Sequence, residues 1–209
     1  QQVLGDMDQL LARLKRRLPA DAAPLARALT AGGLSMLELV WRGQPTIDAL
    51  HALCTGHPQL LAGVGHISDP AQFAAAVAAG ARFISSPGAT PGLFAIARLH
   101  PEVPFWPGVA SLSEAMAARE AGFSRVKLLP ARLAGGLPLV EALGRYLPGI
   151  QLIPSGDLSE LDTARYLAQP NVVAMGADWI ARHELLQRRD WAWIEDKAAG
   201  AREDYGCTP

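Results

Sequence analysis

Ser35-Met36-Leu37-Glu38-Leu39-Val40-Trp41 is a short, mostly apolar run. After a helical pattern over Pro45–Cys54 that ends at Gly56, a second such run follows at Leu60–Val64. Strand, helix and strand in that order form a βαβ unit, whose crossover sets the two strands parallel. The unit recurs outward in both directions. Strands are expected at Arg82–Ser85, Val103–Trp106, Arg125–Leu129, Gln151–Pro154 and Val172–Met175, each short, apolar and bounded by Gly, Pro or a small polar residue. Helical patterns lie at Asp21–Thr30, Pro70–Ala79, Pro91–Leu99, Leu112–Glu120, Leu137–Tyr146, Leu158–Ala168 and Ile180–Ala199, with start signals such as Ser68-Asp69-Pro70 and stops at Gly32, Gly80 and Gly122.

One more strand, at roughly Leu10–Arg16, would close a ring. That segment is more charged than a buried strand should be and reads equally as a helix. The expected fold is a single α/β domain over residues 1–209, a small (β/α)8 barrel of the TIM type whose first strand is uncertain. An open doubly wound sheet is the alternative.

Composition removes several functions. The chain has 209 residues, half of them hydrophobic and 19% charged, enough for one sizeable core. A net charge of −1 gives no electrostatic case for nucleic acid or an anionic membrane. No apolar stretch approaches the roughly 18 residues of a membrane span. His51, His57, His66, His100 and His183 are scattered, and Cys54 and Cys207 have no metal-ligand spacing. Dinucleotide and P-loop glycine patterns are absent as well. The expectation is therefore no metal, no dinucleotide or nucleoside triphosphate, and no membrane or nucleic-acid partner. With no secretory leader after Gln1-Gln2, a reducing cytoplasm is expected.

The chain has only three lysines. Lys15 and Lys197 sit among charged neighbours and read as solvated, whereas Lys127 sits in Val126-Lys127-Leu128-Leu129-Pro130. A lysine there must snorkel from a strand end or give up charge. Desolvation lowers an amine's pKa from about 10.4, and a neutral amine attacks carbonyl carbon to give a Schiff base. In a β/α barrel, alternate residues point inward and catalytic groups gather at the C-terminal strand ends. Met36, Glu38, Val40 and Arg42 share one strand face, and Arg125, Lys127 and Leu129 share another. If both faces turn inward, Glu38, Arg42 and Lys127 converge. The alternative is a buried structural ion cluster of Arg125, Glu38 and Lys127.

Six short segments then fall in order. They are Ala31-Gly32-Gly33 with Leu37-Glu38-Leu39-Val40-Trp41-Arg42, Gly63-Val64-Gly65, Ser86-Pro87-Gly88, Trp106-Pro107-Gly108-Val109, Val126-Lys127-Leu128-Leu129-Pro130-Ala131 and Pro154-Ser155-Gly156. Together they resemble the 2-keto-3-deoxy-6-phosphogluconate / 4-hydroxy-2-oxoglutarate aldolases, class I pyruvate aldolases built as small β/α barrels. The resemblance spans roughly Asp21 to Arg182. It implies a 2-oxo acid substrate, a covalent lysine imine in place of a cofactor, and a homotrimer. By the same resemblance Lys127 is the imine lysine, Glu38 the acid/base and Arg42 the holder of the pyruvate carboxylate. His66, Pro87, Ser155, Gly156, Asp157, Gly176 and Asp178 become substrate-binding positions. Arg42 and Arg125 would help to lower the pKa of Lys127.

The chain departs from the family pattern at three places. The family's Gly-x-Gly-Thr reads Gly63-Val64-Gly65-His66, where His66 either binds pyruvate or swings to solvent. Its phosphate-cradling Thr-Gly-Gly and Gly-Gly/Ala-Ser read Ser155-Gly156-Asp157 and Gly176-Ala177-Asp178. One carboxylate about 4 Å from a phosphate charge costs roughly 4 kcal/mol at an effective dielectric near 20, unless Asp157 is an N-cap turned away. The poorly strand-like N-terminal segment would loosen the barrel wall beside the active site, and the family's Phe-Pro-Ala-Glu also reads Leu129-Pro130-Ala131-Arg132, which returns some positive charge. The expectation is an aldolase for a 4-hydroxy-2-oxo acid, and the two aspartates leave open a substrate that carries no phosphate. A Schiff-base dehydratase and a degenerate keto-acid-binding relative are the alternatives.

Overall fold

The computed structural model describes residues 10–14 and 21–205. Among them, nine short strands make eight staves. They are β1 (Leu10–Leu14), β2 (Met36–Val40), β3 (Leu61–Gly65), β4 (Ile84–Ser85), β5 (Phe105–Trp106) with β6 (Gly108–Val109), β7 (Arg125–Leu128), β8 (Gln151–Leu152) and β9 (Met175–Gly176). Pro107 divides the fifth stave because proline has no N–H to give a ladder, yet its carbonyl still accepts from Lys127 N at 2.9 Å.

Every strand pairing is parallel, in the orders β5-β4-β3-β2-β1-β9 and β6-β7-β8. The ring closes through the approach to β9. Leu152 bridges Val172, and Gly176 N–H donates to Pro154 O at 2.8 Å. One segment thus joins β8 on one side and β1 on the other, and the fold is the (β/α)8 barrel.

The helices are α1 (Ala22–Ala31), α2 (Gln44–Gly56), α3 (Pro70–Ala78), α4 (Pro91–Leu99), α5 (Leu112–Glu120), α6 (Ala131–Ala134), α7 (Gly136–Tyr146), α8 (Thr163–Leu167), α9 (His183–Arg188) and α10 (Trp191–Tyr205). Capping explains several starts. Asp69 accepts from Gln72 N at 2.9 Å and Thr90 from Leu93 N at 3.3 Å, each just before a proline that opens the helix.

Strand alternation then sorts the core. Leu37, Leu39, Val64 and Ile84 pack outward beneath the helices. Met36, Phe83, Trp106, Ile153 and Ala174 form a separate apolar cluster inside the barrel, with Phe83 and Trp106 stacked at 4.5 Å. Gly63 admits this layer, since a Cβ there would overlap the ring of Phe83.

Two helix expectations change. Leu158–Ala168 resolves into a 3-10 turn, Glu160–Asp162, followed by α8. Ile180–Ala199 breaks at Arg189, which takes φ 54°, and Asp190 restarts the chain by accepting from Trp193 N at 3.2 Å. The ambiguous first segment is a strand over Leu10–Leu14, which settles strand against helix. Lys15, Arg16 and Cys207 lie outside the described residues. No helix among the described residues is long and apolar enough to cross a membrane.

Candidate active site

Two residues above the apolar floor, the inward faces turn polar. Met36 is followed by Glu38, Phe83 by Ser85 and Ile153 by Ser155, each on the same face at the strand period of two, while Ala174 is followed by Gly176, which leaves room for Ser155. Glu38 is fully buried in mid-β2, and its register partner on β3 is Gly63. Lys127 is 1% exposed on β7, opposite Gly108 of β6.

The two side chains meet inside the barrel. Lys127 Nζ lies 2.7 Å from Glu38 Oε1 and 2.5 Å from Oε2. Ser85 joins them, donating to Glu38 Oε2 at 2.7 Å and accepting from Lys127 Nζ at 3.1 Å. Separating such a buried pair by removing one partner costs about 3–5 kcal/mol, so an ammonium and a carboxylate are held in contact where little water enters. Room for the carboxylate comes from Gly65, where a Cβ would overlap it.

The alternative of an Arg125–Glu38–Lys127 ion cluster holds for Glu38 and Lys127 and not for the contact of Arg125 that is seen. Arg125 sits lower, at the start of β7, and donates to Gln151 Oε1 at 2.9 Å. Its guanidinium pKa is lowered by desolvation. Ser85 takes the third place, a residue that the sequence reading passed over in favour of Ser86-Pro87-Gly88.

Arg42 does not converge on the pair either. β2 is defined to Val40 and Trp41 N still bonds Gly65 O at 2.9 Å, but at Arg42 the backbone turns from the sheet toward α2. Arg42 is exposed, its Nη1 on Trp41 O at 3.1 Å and its backbone N on Thr46 Oγ1 at 2.8 Å. In this position it does not supply the positive neighbour expected beside Lys127.

The other sequence-derived positions line the C-terminal rim. His66 follows β3, half-buried, with φ 60°. Pro87 is exposed after β4, and Ser155 and Gly156 are buried after β8. Gly176 ends β9 and packs on Ser155, whose Oγ would lie 2.5 Å from a Cβ there. Asp157 is exposed and left-handed at φ 55°, and Asp178 is half-buried in the turn after β9. Asp157 is not an N-cap. That role falls to Ser159, whose N–H and hydroxyl donate to Asp162 Oδ2 at 2.9 and 2.7 Å. Arg132 is exposed and lies 3.9 Å from Asp162, which offsets part of its charge.

A buried amine in contact with a carboxylate, at the open end of a barrel with an apolar floor, can condense with a ketone and move protons around the adduct. Comparison with known proteins agrees with that chemistry. The family model "KDPG and KHG aldolase" matches residues 7–197. The 2-dehydro-3-deoxy-phosphogluconate aldolase of Pseudomonas aeruginosa is 41% identical over 186 residues, covering 89% of this chain and 84% of that protein. The KHG/KDPG aldolase of Escherichia coli K12 is 32% identical over 182 residues, 87% and 85% of the two chains. A Legionella pneumophila KDPG aldolase structure, with pyruvate captured at low pH as a covalent carbinolamine intermediate, superposes with a TM-score of 0.89 at 36% identity. It covers 92% of this chain and 93% of that one.

Proposed function

Because the chain belongs to the KDPG and KHG aldolase family, class I pyruvate aldolases, we propose that it cleaves or forms a 4-hydroxy-2-oxo acid through an imine on Lys127, releasing pyruvate. The observation that carries this reading is the buried contact between Lys127 Nζ and both oxygens of Glu38. Glu38 accepts a proton from the ammonium and frees the lone pair that attacks the 2-keto carbon. It returns protons to the carbonyl oxygen, which leaves as water. The iminium then draws in the electron pair of the C3–C4 bond while Glu38, directly or through water, takes the C4 hydroxyl proton. The aldehyde departs, the enamine is protonated at C3, and water adds to the resulting iminium to release pyruvate and return the Lys127 amine. The iminium supplies the electron sink, so the reaction as written calls for no metal.

Arg42, exposed on the loop after β2, exchanges its contact with the Trp41 carbonyl for the substrate carboxylate, which a guanidinium fork grips in a bidentate way. His66, Pro87, Ser155, Gly156 and Gly176 line the channel above. Asp157 and Asp178 place carboxylates on the two loops that follow β8 and β9, where barrels commonly bind phosphate. The preferred substrate therefore ends in a hydroxyl or an amine rather than a phosphate. A cytoplasmic homotrimer completes the proposal, supported by family membership.

The test is borohydride reduction in the presence of pyruvate. A peptide containing Lys127 should gain about 72 Da, one reduced pyruvyl group on the nucleophilic lysine. An adduct that persists in Lys127→Ala would overturn the assignment.

A further inference from the structure

We propose that Ser85 is a third working group of this site: its hydroxyl oxygen accepts the hydrogen bond of the one N–H left on Lys127 Nζ once an iminium forms, and so frees the Glu38 carboxylate to act on the substrate's carbon chain. The inference rests on the aldolase reading above and deepens it.

β4 is only two residues long, and its pairing fixes which way each points. Ile84 opposes Phe105 and joins the outer core, while Phe83 belongs to the interior floor. Alternation then turns Ser85 inward, where it is 1% exposed. A buried hydroxyl is costly unless it is hydrogen-bonded, and this one has two partners of different kinds. An ionised carboxylate only accepts, so the Ser85 O–H points at Glu38 Oε2, 2.7 Å away. Its lone pairs are left for Lys127 Nζ at 3.1 Å. The three hydrogens of the ammonium thus meet three acceptors: Glu38 Oε1, Glu38 Oε2 and Ser85 Oγ.

Condensation removes two of those hydrogens. Ammonium plus ketone gives iminium plus water, and both hydrogens lost from nitrogen leave on the former carbonyl oxygen. Glu38 carries them and ends as it began, a carboxylate. The planar iminium keeps one N–H. If Glu38 held it, the carboxylate would be pinned by a charge-assisted hydrogen bond and be a poor base for the C4 hydroxyl. Ser85 offers a neutral acceptor in the place the third hydrogen already occupies. Its own O–H keeps the carboxylate oriented between nitrogen and substrate carbon.

This assignment separates two measurable steps. Imine formation is read by borohydride trapping of pyruvate on Lys127. The action of Glu38 on carbon is read by proton NMR as solvent-deuterium exchange into the pyruvate methyl group. In Ser85→Ala, trapping should proceed within a few-fold of the unmodified chain, while exchange slows by at least about tenfold, within the range of a positioned acid/base. Ser85→Thr, which keeps the hydroxyl, should recover most of the exchange rate. Three results would overturn the proposal: exchange unchanged in Ser85→Ala, trapping and exchange reduced by the same factor, or Ser85→Thr no better than Ser85→Ala. Failure of the unmodified chain to trap pyruvate at all would instead bring down the aldolase reading, and this inference with it.

Discussion

The missing side chain of Gly65 defines the position of Glu38: a Cβ at residue 65 would occupy the space taken by the Glu38 carboxylate. Gly65 ends β3 beside Val40 of β2, so the glycine faces the strand that bears the acid. The carboxylate reaches Lys127 because its neighbour has no side chain.

Gly65→Ala should accordingly displace Glu38 from Lys127. Overpacking of this kind costs about 1–3 kcal/mol, and turnover should fall far more than the midpoint of a urea melt suggests. Retention of full kcat with a lowered melt would show that the carboxylate moves without penalty.

Glu38→Gln keeps the shape of the side chain and removes its basicity. Turnover should drop by about two to four orders of magnitude, the range for a positioned acid/base, while imine trapping at Lys127 persists at high pyruvate. Near-normal steady-state rates would transfer the proton shuttle to His66 or water.

The two rim aspartates set the substrate prediction. Unphosphorylated 2-keto-3-deoxy acids should have the higher kcat/KM. Asp157→Gly with Asp178→Ser should raise kcat/KM for the phosphorylated acid by at least about tenfold, which is 1.4 kcal/mol. Asp157 stands at φ 55°, where glycine is unstrained, so that change should not destabilise the fold. A preference for the phosphorylated acid in the unmodified chain would mean that both carboxylates point away from the pocket.

Asp162 gives a pH signature. The hydrogen bond from the Ser159 N–H, then that from its hydroxyl, hold the Asp162 carboxyl below the ordinary carboxylate range. A carboxyl acidified by folding adds stability above its unfolded pKa of about 3.9, and loses it as pH falls through the lower folded value. Asp162→Asn should cost on the order of 1 kcal/mol at neutral pH. Urea melts should show the difference narrowing at about pH 3, and a constant difference would exclude this source.

Alternation carried the sequence reading where strands were long enough to define a face. Glu38 lies at the centre of five buried residues, and Lys127 near the end of an apolar strand, so both inward directions were legible. Arg42 was harder to place because alternation was extended past Val40: Trp41 N still bonds Gly65 O, but the Arg42 N–H turns to Thr46 Oγ1 and its side chain is exposed. Ser85 was overlooked because β4 offers two residues, too few to show a period, and because Ser86-Pro87 beside it reads as a loop. The break at Arg189 has no glycine or proline to announce it. The charged first strand could be recognised only once β2 and β9 stood on either side of it.

The cluster of Met36, Phe83, Trp106, Ile153 and Ala174 makes the barrel a blind tube. With one opening, everything enters and leaves past the same rim. In the proposed reaction the three-carbon fragment would be bonded to Lys127 Nζ at the bottom, with the aldehyde half formed above it. Departure should then be ordered, aldehyde first and pyruvate last. Pyruvate should then compete with the intact acid for the empty tube, whereas the aldehyde, which would meet an already loaded lysine, should inhibit noncompetitively. In the synthetic direction the same sequence makes pyruvate the obligatory first substrate.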